Sequence, residues 1–495
     1  MASMLERLSD ELILEIFKHL RPARLLVYLS HDHEVYSAGI SSNASVAIFA
    51  SLCLTSTHLS RLAIPELYGN LVKRQASQKL PYRSSPGQES RSEHYLRQFF
   101  EFGEAVVRSP SLGQHLRYVN FSFESSDMLE LCRTYLRRER WSSHRKAMKR
   151  LASQIWGATQ LQVWIQLCEM RPEQAQSVLL AAMAPNITHV VIDVYENTLS
   201  TNLSLLGIDN PLCEKPPSRV HDFSRLERLI LTMRGDWFDK QRKPDYESPF
   251  LPATPVRHLL PQLTNLRHFQ QILAPSPGIY DSVLHPHIVM AKLETLNLHM
   301  CNVSLKLIAA TLESCPNLKN FLLSPSEAEE FFDFRILYSA LRKSLGTLEN
   351  VSISVGESYL GDVHQDPLGT FSDFLLLKRL RVPDIVMMGK PEGYDLEGPD
   401  YDWSDFCPQS SLIDLLPPYL ECLFLASEFV GLSDRTEFLW EFVRNLDQLS
   451  RLRSFGSVGS RNGSFDRLSE ELASRGVQFT ESDFAFSGEW LGTVF

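Results

Sequence analysis

The chain has 495 residues, of which 44% are hydrophobic and 22% charged, and its formal net charge is −10. This length exceeds one ordinary hydrophobic core and predicts a long array or two to three domains, while the composition excludes wholesale disorder. Residues 73–172 carry a net charge of +8, and residues 173–495 carry −16. The overall acidity argues against a nucleic-acid partner, because the summed field repels phosphate.

Cysteine usage and hydropathy indicate the compartment. None of the eight cysteines forms a C-x-x-C pair, and most lie in apolar runs, which is typical of buried thiols in a reducing compartment. The opening residues lack a basic-then-apolar signal pattern, and no stretch approaches about 18 uncharged apolar residues. We therefore expect a cytoplasmic or nuclear protein without a membrane partner.

The first predicted element is a helix over residues 8–20, LSDELILEIFKHL. Ser9 is its expected N-cap, and the two acids that follow suit the positive end of the helix. Its apolar residues recur at helical spacing and form one stripe, which comprises Leu12, Ile13, Ile16, Phe17 and Leu20. A second apolar helix is predicted over residues 45–63, with Pro65 as its stop.

Two short helices bury little surface alone, so their stripes need a further surface to pack on, in this chain or in a partner. An ordinary helical cap on the rest of the chain is one interpretation. The residues also resemble the opening of an F-box, usually Leu-Pro-x-Glu followed by Ile and Leu, which here is Leu8-Ser9-Asp10-Glu11, then Ile16 and Leu20. Residues 52–68 are similar to the F-box continuation in fungal members of the family.

This resemblance implies docking onto the adaptor of an SCF-type cullin ubiquitin ligase, where such proteins present substrates for ubiquitylation. The residues it places at the adaptor are Leu8, Ser9, Glu11, Leu12, Ile16, Phe17, Leu20, Leu52 and Leu54. The chain departs from the family in Ser9, which replaces the usual Pro, in the lack of a Trp near His58, and in an insertion near residues 21–46. The insertion carries His31 and His33, which we expect in a polar loop rather than in a metal site.

The predicted F-box-like module spans residues 1–72, and a polar linker follows over residues 73–94. Residues 95–185 are expected to be mainly helical, and a helix is predicted from about Glu93 to Val107. Seven of the fourteen residues 137–150 are Lys or Arg. Two interpretations stay open for this run: a solvated helix face, which charge runs usually are, and a patch for phosphate or an acidic partner.

The strongest internal signal is L-x-x-L-x-L, which recurs over residues 186–495. Leu293, Leu296, Leu298 and Cys301 match a full leucine-rich-repeat template. Other matches begin at positions 116, 187, 226, 266, 318, 348, 377, 420 and 452. Three matches follow an apolar helix that a proline stops, at Pro185-Asn186-Ile187, Pro316-Asn317-Leu318 and Pro418-Tyr419-Leu420.

This region resembles the divergent leucine-rich arrays of many fungal F-box proteins. The predicted fold class is α/β, with an N-terminal helical F-box-like module followed by an irregular leucine-rich-repeat-like solenoid, and an unrelated α/β fold is the alternative. In such an array the residues between the leucines point away from the core and line one concave face. The expected target contacts on this face are Thr295, Asn297, His299, Ser352 and Arg381.

Residues 391–406 hold six acids and no base. Asp400, Asp402, Trp403 and Asp405 are expected to contact a basic segment of the target, and a purely solvating loop is the alternative. Calcium is not expected, because Asp405 stands where a calcium loop needs Gly.

No nucleophile elbow, Walker loop or H-E-x-x-H motif is present. The leading hypothesis is therefore a non-catalytic substrate receptor that binds the SCF adaptor and, through it, cullin, without a cofactor or metal. A protein-interaction scaffold of the same architecture is the alternative, and an enzyme with a site of dispersed residues is the third.

Overall fold

The structure, a computed structural model, describes residues 8–20, 26–29, 35–38, 43–69, 91–120, 139–193, 204–206, 223–232, 259–272, 290–301, 303–325, 334–354, 369–383, 387, 411–426, 436–457 and 465–481. The chain divides into two compact units, Met1–Asn265 with Phe495, and Leu266–Val494.

Helices dominate the first unit. Its described elements are α1 (Asp10–Leu20), β1 (Leu26–Leu29), β2 (Val35–Ala38), α2 (Asn43–Thr55), α3 (Thr57–Gly69), α4 (Arg91–Arg108), β3 (Tyr118–Asn120), α5 (Glu139–Ile155), α6 (Ala158–Met170), α7 (Pro172–Ala182), β4 (His189–Asp193) and β5 (Arg228–Thr232). Its described 3-10 turns are Pro110–His115 and Leu260–Gln262. None of the described helices in either unit is long and apolar enough to cross a membrane.

Strands and short helices alternate in the second unit. Its described elements are β6 (His268–Ile272), β7 (Thr295–Cys301), α8 (Leu305–Glu313), β8 (Asn320–Pro325), α9 (Phe334–Leu341), β9 (Asn350–Ile353), β10 (Arg379–Pro383), α10 (Leu412–Leu415), β11 (Cys422–Ala426), α11 (Thr436–Arg444), β12 (Ser454–Ser457), α12 (Phe465–Ser474) and β13 (Gln478–Glu481). The fold class is therefore α/β, as the sequence predicted.

The strands pair in chain order. From β3 to β5 in the first unit, and from β6 to β13 in the second, each strand pairs in parallel with the next. Parallel pairing requires a crossover after every strand, and described helices lie in several of these crossovers, such as α8 between β7 and β8 and α9 between β8 and β9. The pair β1–β2 is antiparallel, with Leu26 opposite Ala38, so the predicted insertion contains a hairpin.

The first helix forms for the reasons that its sequence suggests. Ser9 precedes α1, and the Leu12 backbone N–H donates to Ser9 Oγ at 3.5 Å, as expected of an N-cap. Pro65, however, lies inside α3 and is not the stop that the sequence predicted. The helix boundary falls instead at Ser56, whose side chain accepts a hydrogen bond from the Leu59 N–H at 3.2 Å and caps the new helix.

The predicted helix over residues 93–107 falls on α4. The region 95–185, expected to be mainly helical, contains α5, α6 and α7 and also the strand β3. Helix α7 is buried along almost its whole length. Its Gln176 lies 3.0 Å from His144 on α5 and donates to the Phe99 carbonyl at 2.8 Å. A Cβ at Gly103 on α4 would lie 2.2 Å from the Gln176 amide, so a larger residue there would displace this hydrogen-bonded side chain.

All ten L-x-x-L-x-L matches contain a strand, and each strand begins two residues after the start of its match. At Leu293 the strand begins at Thr295, which places Leu296 and Leu298 on the same side, where both are fully buried. The neighbouring strands place Phe321 and Val351 in register with Leu296. The apolar side of the strands is thus a continuous core.

The predicted proline stops are also present, and each is followed by a turn into a strand. An asparagine lies directly before three of the L-x-x-L-x-L matches, and two of these asparagines follow one of the prolines. In each case the asparagine side chain donates a hydrogen bond to a backbone carbonyl just before the preceding match. These bonds run from Asn186 to Gln114, from Asn265 to Ser224 and from Asn317 to Ala291. The repeated bond ties these three turns to the turns before them.

Charges alternate across the starts of the strands in the second unit. The residue just before each strand from β6 to β12 is, in order, Arg267, Glu294, Lys319, Glu349, Lys378, Glu421 and Arg453. Glu294 contacts both Arg267 and Lys319 at 2.9 Å, and Lys378 contacts Glu349 at 2.5 Å. Since a strand that slipped along its neighbour would lose these contacts, this alternating charge row favours the observed register.

Candidate functional site

The N-terminal helices form a small cluster with its own core. The buried residues of this cluster are Ile13, Phe17, Phe49, Leu59, Leu62 and Ala63. The rings of Phe17 and Phe49 meet edge to face at a centroid distance of 5.2 Å. Asp10 ties the helices together at the surface, since Arg61 Nη2 lies 2.6 Å and His58 Nε2 lies 3.4 Å from its carboxylate.

The single apolar stripe that the sequence predicted on α1 divides into two. Ile13 and Phe17 point into the cluster, whereas Leu12 and Ile16, one residue earlier in each case, are 55% and 39% exposed. Helix α2 adds further exposed apolar side chains, and Leu54 is 88% exposed. The cluster thus leaves Leu12, Leu14, Ile16, Ile48 and Leu54 exposed beside its buried core. Leu12 and Ile16, four residues apart on α1, share one helix face, which we call the exposed apolar surface.

The residues expected at the adaptor are therefore not equivalent. Ser9, Glu11, Leu12, Ile16 and Leu54 are exposed. Phe17 is fully buried, while Leu8 and Leu52 are partly buried against the core of the cluster. These three residues therefore stabilise the cluster and are less accessible to a partner. The side chain of Leu20 lies outside the described residues.

Sequence reasoning missed Leu14 and Ile48. Ile48 lies in an apolar helix whose residues are hydrophobic on most sides, so no stripe singles it out.

On the second unit, the expected target residues share one side of the strands. Thr295, Asn297 and His299 alternate with the buried leucines of β7. The register across β8, β9 and β10 places Asn297, Ser352 and Arg381 in one row. The structure thus brings five predicted residues together on what we call the polar face.

The row at the starts of these strands is hydrogen-bonded from strand to strand. Thr295 Oγ1 lies 3.1 Å from His268 Nδ1 and accepts a hydrogen bond from Asn320 Nδ2 at 2.9 Å. Asn350 Nδ2 in turn donates to Asn320 Oδ1 at 2.6 Å. This row is half-buried except for Thr295, which is buried, and it holds four strands in register through side chains as well as backbone.

The expectation that Asn297 and His299 are surface residues is wrong, because the polar face is largely buried. Asn297 is 1% exposed and His299 is 6% exposed, and Thr295, Ser352 and Arg381 are also buried. A repeat pattern indicates the side to which a residue points, but not what covers that side.

Two side chains on the polar face have unusual environments. Neither amide atom of Asn297 has a hydrogen-bond partner within the described part of the chain. A buried polar group without a partner costs on the order of 1–3 kcal/mol, so the Asn297 amide adds nothing to the stability of the described strands. Two strands away, the Arg381 guanidinium lies over the Phe424 ring at 4.8 Å, as in a cation–π contact.

Cys168 and Cys315 are among the deeply buried side chains. Burial raises the pKa of Cys168 to about 12 and that of Cys315 to about 11, so both thiols are protonated at neutral pH. The described ranges contain no group of three or more His, Cys, Asp or Glu side chains placed to hold a metal ion. His31, His33, Asp400, Asp402, Trp403 and Asp405 lie outside the described residues.

No protein-family model matches the chain, and no curated protein sequence matches it either.

Proposed function

We propose that the chain is a substrate-receptor subunit of an SCF-type cullin ubiquitin ligase, with an F-box-like module in its N-terminal helices and a leucine-rich-repeat-like solenoid after them. In this proposal the module binds the SCF adaptor and, through it, cullin, while the solenoid binds a target protein. The chain itself supplies no chemistry.

The observation that carries the proposal is the exposed apolar surface of the N-terminal cluster. Large apolar side chains that a small module leaves in solvent, although its own core is complete, are typical of a protein-binding site. Leu12 and Ile16 stand one helical turn apart, so a helix-packing partner would meet both at once. Their positions coincide with those that the F-box resemblance assigns to the adaptor.

The polar face supports the second half of the proposal. Its half-buried row of Asn320, Asn350 and their neighbours offers amide donors and acceptors at the strand starts, and Asn297 lies next to this row with an unsatisfied amide. Peptide groups of a bound protein carry the complementary donors and acceptors. Because Thr295, Asn297, His299, Ser352 and Arg381 are buried, the half-buried Asn320 and Asn350 are the contacts that a target would meet on this face. Asp400, Asp402, Trp403 and Asp405 are proposed as contacts to a basic segment of the target.

Calorimetry with the purified adaptor tests the first half. We expect binding, and we expect Leu12→Ala with Ile16→Ala to weaken it by several kcal/mol, because central apolar anchors dominate such interfaces. Leu8 is a poor choice for this test, since it packs partly against the core. Leu375→Ala is the matched control, because Leu375 is a 57% exposed leucine in the second unit.

The alternative is a protein-interaction scaffold of the same architecture that never joins a ligase. Ser9 in place of the usual Pro and the β1–β2 hairpin in the insertion favour it. Affinity purification followed by mass spectrometry separates the two. Adaptor and cullin peptides support the ligase proposal, while their absence together with a calorimetric blank at roughly tens of micromolar adaptor supports the scaffold.

A further inference from the structure

A concave site lies between α5 and α6 in the first unit, outside both surfaces described above. Helix α5 contributes Ser142, Arg145, Lys146 and Lys149, whose spacing of three, four and seven residues places them on one helix face. The opposite face of α5, with His144, Met148 and Ala152, is buried. The helix thus places three residues of the basic run, Arg145, Lys146 and Lys149, on a face that lines a cavity.

The floor of the cavity is apolar. It consists of Trp164, Ile165 and Cys168, which follow one face of α6. Trp164 is held rigidly, because its indole N–H donates to the Ala175 carbonyl at 2.9 Å. Burial keeps the Cys168 thiol neutral by raising its pKa to about 12, so the floor carries no charge of its own.

The rim of the cavity is cationic. Arg145 Nη2 lies 2.9 Å from Glu169, so its charge is partly neutralised. Lys146 and Lys149 are exposed, and neither has a carboxylate within 4.0 Å among the residues that the structure describes. Two uncompensated ammonium groups therefore flank an apolar floor.

The cavity volume of about 270 Å³ limits the size of the ligand. Pockets for complete small ligands start at about 300 Å³, so this cavity suits one apolar side chain better than a whole cofactor. We propose that this site binds an acidic peptide segment of a partner protein, which inserts one apolar side chain between α5 and α6 while its carboxylates pair with Lys146 and Lys149. It is a second protein-binding site, independent of the adaptor and target surfaces.

A nucleic acid fits these observations less well. A phosphate backbone would pair with the two lysines but would leave the Trp164–Ile165 floor unused. The net charge of −10 on the whole chain also repels a polyanion, whereas a short acidic segment is affected less.

Fluorescence anisotropy with the full-length chain tests the proposal. The probe is a short fluorescein-labelled peptide, EEDLDEE, and the comparison is the same peptide with serine in place of leucine. We expect saturable binding of the leucine peptide and about tenfold weaker binding of the serine peptide, because the apolar floor then has no occupant. Equal binding of the two peptides would overturn the proposal, since it would show attraction by charge alone.

Charge reversal provides the second arm. Lys146→Glu with Lys149→Glu should weaken binding at least about tenfold, whereas Lys306→Glu with Lys343→Glu should change it less than about twofold. The two pairs carry the same charge change on exposed lysines. Equal loss in both variants would contradict a localised site, and so would a DNA duplex that competes as well as unlabelled peptide. Thermal melts check that both variants are folded.

Discussion

The N-terminal helical cluster and the parallel strands of the second unit contain similar apolar residues but bury them to different extents. In the cluster, Ile13 is fully buried while Ile16, one turn along the same helix, is 39% exposed. In the strand region, Leu296 and Leu298 are both fully buried, and the polar residues between them are buried as well.

The two regions differ in the kind of side-chain group that lacks a contact partner. The core of the cluster buries Ile13 and Phe17, yet Leu12 and Ile16 remain in solvent, as the proposed adaptor interface requires. The strand region has no such surplus on β7, where the Asn297 amide is among the buried polar groups that lack a hydrogen-bond partner within the described residues. A partner of the cluster would therefore bind by apolar burial, and a partner of the strands by hydrogen bonding.

The largest expected effect is on the strand side of this comparison. Leu296→Ala should lower the free energy of unfolding by about 2–5 kcal/mol, because it leaves a cavity in a core that neighbouring strands share. Chemical denaturation measures the change. A smaller loss for Leu296→Ala than for Asn297→Ala would mean that the assigned strand register is wrong.

Within the cluster, two isoleucines on the same helix sharpen the comparison. Ile13→Ala should cost about 2–5 kcal/mol of the stability of the cluster, whereas Ile16→Ala should cost under about 1 kcal/mol and should act on adaptor binding instead. Circular dichroism melts and calorimetry measure the two quantities separately. Similar stability losses for both variants would show that Ile16 is a core residue. Ile16 would then no longer belong to the exposed apolar surface.

Two asparagines make the corresponding test on the polar face. Asn320 bonds to both Thr295 and Asn350, so Asn320→Ala should cost about 1–3 kcal/mol. Asn297→Ala should change stability by under about 1 kcal/mol, because its amide makes no hydrogen bond that the substitution could break. His299→Ala removes a buried side chain and should cost more than a surface change would. The measurement is again denaturation, and a large loss for Asn297→Ala would reveal a partner for its amide.

The smallest expected effect concerns the alternating charge row. The hydrogen bond from Lys319, together with the charges of Lys319 and Arg267, holds the pKa of Glu294 below its ordinary value of 4.5. Because the folded pKa is depressed, the stabilisation is present above about pH 4.5 and is lost as the pH falls through the folded pKa. Both cations are about half exposed, so Glu294→Gln should cost under about 1 kcal/mol at pH 7.

A pH series of denaturation curves checks this last prediction. The difference between wild type and Glu294→Gln should shrink as the pH falls below about 4.5. A difference that stays constant with pH would mean that the carboxylate charge contributes nothing. High salt should reduce the difference at pH 7 as well, because these charges are at the surface.

Much of the fold could be predicted because strands and helices have different periods. Leu296 and Leu298 are two residues apart in the sequence. Residues at this spacing point to the same side only on a strand, so both can be buried there. All ten such matches contain strands. The strand Gln478–Glu481 was missed because Gly476 and Glu481 occupy the template's outer positions, and only Phe479 conforms.

The amino-acid sequence by itself determined the α/β class, the N-cap at Ser9, the proline stops before three of the strands and which residues of each strand share a side, because these follow from local periodicity and backbone chemistry. Only the tertiary structure decided which apolar residues of α1 stay exposed, that Asn297 and His299 are buried, and that Lys146 and Lys149 flank a cavity. The physical reason is that burial depends on segments distant along the chain that cover a residue, and a local pattern contains no record of them.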